Sequence, residues 1–290
     1  MSANATPGRR EKGKTQNRTT FFPRFIAVVL ILLAFVGFLF YLLQPVTFTY
    51  RGMTMEAVPG VAVNRYDPDG FYTDEKGRVQ YTSKGASARA GIDVSYSQGD
   101  IDWSAVAADG VDFAIIRLGY RGYTQGAIQT DSCFFQNIQG ALDAGLDVGV
   151  YFFSQAITPE EARQEADYTL SLLESYPITC PVVYDWEPIT FAEGARTDQL
   201  EHEVLTQCAA AFCQRVAQAG YTPAVYFNQE MGYFSFDLKE LSPFQFWLAE
   251  YDSYPSFYYG FTLWQYTHEG RVDGIQTPVD WNLDFSQLKR

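Results

Sequence analysis

Two histidines, His202 and His268, are all that 290 residues contain. That leaves a histidine-rich zinc site without ligands, and a Ser-His-Asp or Cys-His centre with little to draw on. Cysteine is scarce too: Cys133, Cys180, Cys208 and Cys213, with no C-x-x-C. Such spacing supports neither a zinc ribbon nor a thioredoxin-like centre. Four cysteines allow three disulfide pairings, and the sequence does not choose among them; four buried thiols acting as small hydrophobes is the default. Cations are the third shortage. Lys and Arg total 21 against 34 Asp and Glu, and six of the cations (Arg9, Arg10, Lys12, Lys14, Arg18, Arg24) lie within residues 1–24. Beyond Arg24, 15 cations face 33 anions, a balance of −18. Phosphate neutralisation needs clustered Lys and Arg, so this part of the chain is no nucleic-acid binder.

Apolar residues are plentiful. They make up 47% of the chain against 19% charged, enough for a sizeable core and too many for wholesale disorder. The densest run is FIAVVLILLAFVGFLFYLL at 25–43. As a helix rising about 1.5 Å per residue it spans roughly 28 Å, close to a bilayer's hydrocarbon thickness. The basic residues before it place residues 1–24 in the cytoplasm and the rest outside. A cleaved signal peptide would carry a shorter core of about 7–15 residues and a small-x-small site. The flank QPVTFTYRG offers no such site. The sequence therefore predicts a single-pass membrane protein in four parts: a basic cytoplasmic tail at 1–24, a transmembrane helix at 25–43, a β-rich stalk or linker at 45–90, and a large exported domain at 91–290.

Within 45–90, DPDG (67–70) and DEKG (74–77) bracket FYT and predict a small hairpin or meander, and KGASARAG (84–91) reads as a linker. From Gly91 onward short apolar runs alternate with helical periodicity. Strands are predicted at 91–95, 113–119, 147–154, 181–187, 223–228, 244–251, 261–267 and 279–285, and helices at 103–109, 132–144, 159–175 and 198–219. Five β-α units followed by three strands argue an α/β barrel of TIM-like but irregular type, (βα)5(β)3.

In such barrels chemistry sits at the C-terminal strand ends. Polar residues gather there: Asp93, Arg117, Tyr151, Asp185, Glu187, Gln265 and Asp280 among them. PVVYDWEP is the most informative segment. A strand alternates faces, so Asp185 and Glu187 point the same way with Cα atoms about 6.6 Å apart. Burial and mutual repulsion raise at least one pKa of such a pair, as a general acid requires. Paired carboxylates with almost no histidine suggest glycoside hydrolysis. An ordinary strand exit carrying two solvated acids accounts for D-x-E alone equally well. Asp93 and Asp280 add two acids if the barrel closes. Rings near the same ends, including Tyr151, Phe153, Tyr226, Trp247 and Tyr266, suit stacking on sugar faces, although core packing explains any single one.

The segments GIDVSYSQGDIDW, GVDFAIIRLGYRG, NIQGALDAGLDVGVYFFSQA, PVVYDWEP, WLAEY, WQYT and VDWN, in that order, resemble the family 25 glycoside hydrolases, the Chalaropsis-type lysozymes or muramidases. The resemblance runs from about Gly91 to Phe285. It implies a (βα)5(β)3 barrel that hydrolyses the β-1,4 bond between N-acetylmuramic acid and N-acetylglucosamine in peptidoglycan. It also implies Glu187 as general acid, Asp185 assisting, and Asp93 and Asp280 completing the cluster. Substrate contacts are expected from Arg117, Tyr151, Phe153, Tyr226, Trp247, Gln265 and Tyr266, in a monomeric catalytic domain that needs no metal or cofactor. Whether Asp185 attacks directly or orients the substrate's own 2-acetamido group stays open. So does a non-catalytic glycan-binding role for the same barrel.

Overall fold

The computed structural model describes Met1, residues 21–42 and residues 44–288, with side chains in the first helix given from Phe25 to Phe40. Nearly all of the predicted basic tail lies outside the described residues. The chain divides into two compact units, 1–57 and 58–290.

The first unit opens with helix α1 (Phe21–Leu42), over the predicted apolar run. Phe25, Leu30, Ile31, Leu33, Phe38 and Phe40 are exposed along it. Among the described residues, no helix is long and apolar enough to cross a membrane; the predicted span of 25–43 runs past the described side chains. Strands β1 (Thr47–Tyr50) and β2 (Met53–Glu56) then form a hairpin. Its two turn residues, Arg51 and Gly52, both take positive φ, the geometry that matches strand twist in a two-residue turn.

The second unit begins with a three-stranded sheet, β3 (Phe71–Thr73), β4 (Val79–Ser83) and β5 (Ala86–Ser87). DPDG makes the turn into β3, with Asp67 capping a short 3-10 turn, and DEKG makes the next, with Gly77 at φ 80°. Residues 84–91, expected as a linker, instead form β5 and the start of β6 (Arg89–Val94). This sheet packs on the barrel wall through rings. Tyr66 stacks on Phe285 at 4.2 Å between centroids, and Phe71 meets Trp264 edge-on at 5.5 Å. The physical reason lies in the barrel: its last three strands bring no helices, so their outward faces need another cover.

The barrel itself follows β6 with α2 (Trp103–Ala108), β7 (Phe113–Arg121), a short β8 (Ile128–Thr130), α3 (Phe134–Asp143), β9 (Asp147–Phe153), α4 (Pro159–Leu173), β10 (Val182–Asp185), α5 (His202–Gln218) and β11 (Pro223–Asn228). Two short helices, α6 (Gln229–Phe234) and α7 (Leu238–Leu241), precede β12 (Gln245–Ala249), β13 (Leu263–Gly270) and β14 (Val279–Asp284). Strands β6, β7, β9, β10, β11, β12 and β13 run parallel. The last strand, β14, is antiparallel to both β13 and β6 and closes the ring. Eight strands in this order carry out the expected (βα)5(β)3 plan, with β8 added at the far end of β7.

Local chemistry explains the elements. Thr158 caps α4 by accepting the Glu161 N–H at 3.2 Å, Pro159 fills the first helical position, and Glu160 and Glu161 sit at the positive end of the dipole. The barrel interior is filled from Phe113, Ile115, Val183, Ala224, Trp247 and Leu263. Gly91 faces the Phe113 ring so closely that an added Cβ would lie 2.4 Å from it. At the strand starts Arg89 bridges Asp284 and Asp147, and Cys180 lies beside the same guanidinium. All four cysteines are free thiols; Cys180, Cys208 and Cys213 are buried, and Cys133 is half-buried.

Candidate active site

Strand alternation sends Asp93, Tyr151, Asp185, Tyr226, Trp247, Gln265 and Asp280 inward at one end of the barrel. Together with Glu187 and Tyr251 they line a cavity of about 170 Å³. A larger hollow of about 510 Å³ lies at the strand starts between Val61, Phe244, Phe246, Phe261 and Leu288. No acid lines that hollow, so chemistry points to the smaller cavity.

One relay of hydrogen bonds orders the cavity floor. Tyr226 and Tyr251 each donate to Gln265 Oε1 at 3.1 Å. That leaves the Gln265 amide nitrogen to donate to Asp93 Oδ2 at 2.9 Å. Asn282 Nδ2 donates to the same oxygen at 2.7 Å, while Trp247 Nε1 donates to Asn282 Oδ1 at 2.8 Å. Asp93 is thus gripped by two amides, each oriented from behind. By contrast, the buried Asp185 Oδ1 has no hydrogen-bond partner among the described residues.

Electrostatics separate the four acids. Burial drives the Asp93 carboxyl well above the ordinary range and the Asp280 charge adds to it, against the pull of the Gln265 and Asn282 amides. Asp93 and Asp280 act on each other and both stay raised, so they titrate together rather than singly. Asp185 is likewise driven well up by burial and then by Glu187, with Arg117 opposing. Glu187 is raised by burial and then by Asp280. Asp280 is also raised by burial, with His268 pulling the other way. The His268 ring lies tilted against the ring of the cavity residue Tyr251, 4.6 Å between centroids. Four carboxyls in this space cannot all ionise together, so the cavity retains protons where isolated acids would have lost them.

Three expected contacts lie elsewhere. Tyr266 follows Gln265 directly and so faces the other way; it is buried under the β3–β4–β5 sheet, where Arg78 and Asp74 act on its hydroxyl. Arg117 points to the right end of β7, but its Nε donates to Asp131 Oδ2 at 2.7 Å and its guanidinium lies over the Tyr96 ring at 4.8 Å. It borders the cavity only through its charge, which acts on Tyr151 and Asp185. Phe153 is the last residue of β9 and is not among the lining side chains. Two further residues join: Tyr251, just past β12, one of the rings near the strand ends though not among the expected substrate contacts, and Asn282, two residues from Asp280 on the same face of β14, which the sequence did not single out. The V-D-W-N alternation carried the second signal.

The model of the glycosyl hydrolases family 25 matches residues 92–275, which takes in all four acids except Asp280. The chain belongs to this family. It is 31% identical over 204 residues to "Lysozyme M1" of Streptomyces globisporus, covering 66% of each chain. It is 27% identical over 198 residues to the "Autolytic lysozyme" of Clostridium acetobutylicum, covering 68% of this chain and 56% of that one. The chain thus spans between half and two-thirds of the length of these curated relatives. Among solved structures, the bacterial lysozyme from Streptomyces coelicolor superposes with a TM-score of 0.56 at 27% identity, covering 70% of this chain and 94% of that one. The residues matched by the family model lie wholly within the second unit.

Proposed function

We propose that this chain is a membrane-anchored muramidase that hydrolyses the β-1,4 bond between N-acetylmuramic acid and N-acetylglucosamine in peptidoglycan. One observation carries the reading: Asp93, Asp185, Glu187 and Asp280 converge on a single cavity, and every one is raised in pKa by burial. The relatives named as lysozymes support the same substrate class.

Glu187 is the general acid. It lies half-buried at the cavity mouth, and burial and then the Asp280 charge raise its pKa, which favours the acid form that protonates the leaving glycosidic oxygen. Asp185 acts beside it. Its unpartnered Oδ1 accepts the N–H of the substrate's 2-acetamido group, turning the acetamido oxygen onto the anomeric carbon. Asp93 and Asp280, side by side in the cavity lining, supply negative charge to the developing oxocarbenium ion. Trp247 and Tyr226 stand edge-on at 5.0 Å and wall the sugar site.

The anchor reading rests on the apolar run at 25–43, the basic residues before it and the exposed apolar side chains of α1. It places residues 1–24 in the cytoplasm and the barrel outside, facing the cell's own wall.

The deciding experiment incubates the full chain in detergent with purified peptidoglycan, follows new reducing ends and identifies the fragments by mass. Fragments ending in reducing N-acetylmuramic acid are expected, and Glu187→Gln abolishes them. Reducing N-acetylglucosamine ends would move the cleaved bond. Glycan binding without new ends, unchanged in Glu187→Gln, would replace the enzyme with a binding module.

A further inference from the structure

The sequential pair Ser154–Gln155 touches both acids of the D-x-E segment, through the backbone. The β10 ladder ends at Asp185, whose last partners are Phe153 and Tyr226. Trp186, Glu187 and Pro188 continue without strand pairing, and Pro188 has no N–H to give. The Glu187 main chain thus needs another hold if its carboxyl is to stay in place.

That hold comes from the end of β9. The Ser154 N–H donates to the Asp185 carbonyl at 2.6 Å. Gln155 Nε2 donates to the Glu187 carbonyl at 3.0 Å and to its neighbour's Ser154 carbonyl at 2.9 Å. Its Oε1 accepts from Thr197 Oγ1 at 2.6 Å. Gln155 is 0% exposed, and a buried amide is costly unless each of its groups is used. Here both ends are used, and the donor end is spent on a carbonyl of the general acid.

The clamp is fixed from behind. Ser154 Oγ donates to Glu165 Oε2 at 2.6 Å, and Arg121 Nε donates to Glu165 Oε1 at 2.6 Å. Thr197 sits in the connection between β10 and α5. There the Arg196 N–H donates to the Tyr123 carbonyl at 2.8 Å and its guanidinium pairs with Glu161.

We infer that Gln155, oriented by Thr197, is a positioning residue that fixes the main chain of Glu187 and so aims its carboxyl at the glycosidic oxygen. This inference rests on the muramidase reading and deepens it. Gln155 touches no substrate; it acts through Glu187.

The test compares Thr197→Val, Thr197→Ser and Gln155→Leu with the native sequence, all as full chains in detergent. Thr197→Val removes only the hydroxyl that orients the amide, and Thr197→Ser restores it. On peptidoglycan, kcat is expected to fall about 3–10-fold in Thr197→Val and about 10–100-fold in Gln155→Leu, with KM within about twofold, since misplacement near a reacting centre acts on the transition state. Thr197→Ser is expected to match the native enzyme. NMR titration of the Glu187 carboxyl reads the same device without turnover. Its pKa should move down towards the ordinary glutamate value in Thr197→Val, because a loosened main chain lets the carboxyl reach water. An unchanged Glu187 titration in both Thr197→Val and Gln155→Leu overturns the inference. So do losses that follow the melting temperature alone and vanish on cooling. Absence of new reducing ends with the native chain would sink the muramidase reading instead, and the NMR titration would still decide the clamp.

Discussion

Asp280 lies directly opposite Asp93 in the antiparallel register by which β14 closes the barrel onto β6. Two carboxyls far apart in the chain meet because the last strand reverses direction. On that seam Asp93 is gripped by the Gln265 and Asn282 amides, while Asp280 feels His268. Both carboxyls of the pair are raised by burial, and the Asp280 charge in turn raises Glu187.

The activity profile follows from those directions. Asp185 is raised above its ordinary 3.8 and Glu187 above its ordinary 4.5. On the proposed mechanism turnover needs one negative charge on the cluster and a proton on Glu187, so it rises as the cluster loses its first proton and falls as Glu187 loses its own. A bell-shaped kcat/KM against pH is expected, with both limbs displaced upward from free carboxylates and belonging to the coupled set. In Glu187→Gln the alkaline limb should disappear along with about 10²–10⁴-fold of the rate. A flat profile between about pH 4 and 9 would remove Glu187 from the general-acid role.

Asp185 should make the protein less stable where the enzyme works. Its folded pKa is raised, by burial and then by Glu187, so folding favours the protonated form. Its contribution is complete below 3.8, where both states carry the proton, and is lost as pH rises through the folded value. Asp185→Asn removes that cost. Melting curves should show the variant several degrees more stable than the native protein near pH 8, with the advantage gone near pH 4, while activity falls by at least about 10²-fold. An equal advantage at both pH values would show that the carboxylate charge is not its source.

Arg121 and Glu165 present the opposite case. They form a buried ion pair behind the Ser154 hydroxyl, and burial pushes Glu165 up to about 7 despite its partners. Arg121→Met strands the carboxylate. Unfolding measurements should show a loss of about 3–5 kcal/mol near pH 8, where Glu165 must either stay ionised without a cation or take up a proton against the solution pH. The loss should shrink near pH 5, where Glu165 takes up a proton. Equal losses at pH 5 and 8 would mean that Arg121 matters for packing rather than for charge.

How far the sequence led is best seen on β10 and β13. In PVVYDWEP strand alternation alone brought Asp185 and Glu187 to one side, and α4 announced itself through Thr158 and Pro159. On β13 the same alternation separates Gln265 from Tyr266, but WQYT shows two polar-tipped residues and no sign of which faces inward. What settles it is the aromatic sheet of residues 66–88, whose rings cover the helix-free strands through contacts such as Tyr66 on Phe285. Those contacts join residues more than two hundred positions apart, which no local pattern reveals. Arg117 fails for a related reason: its partner Asp131 lies on the segment after β8, a strand too short to read. The short helices α6 and α7 escaped because neither completes two turns of periodicity.

Charge makes the last prediction. Beyond Arg24 the chain carries −18, a net charge that an anionic wall repels. On the proposed anchor reading, holding the barrel at its substrate would offset this, effective concentration replacing attraction. A fragment beginning at Val46 has to reach the wall against that repulsion. Its clearance of anionic walls should be slow at about 0.01 M salt, where the Debye length is roughly 30 Å, and faster at 0.15 M, where it is about 8 Å. Neutral, stem-free glycan chains supply the control, and their cleavage should vary little over the same range. If wall clearance were equally indifferent to salt, electrostatic repulsion would supply no reason for the proposed anchor.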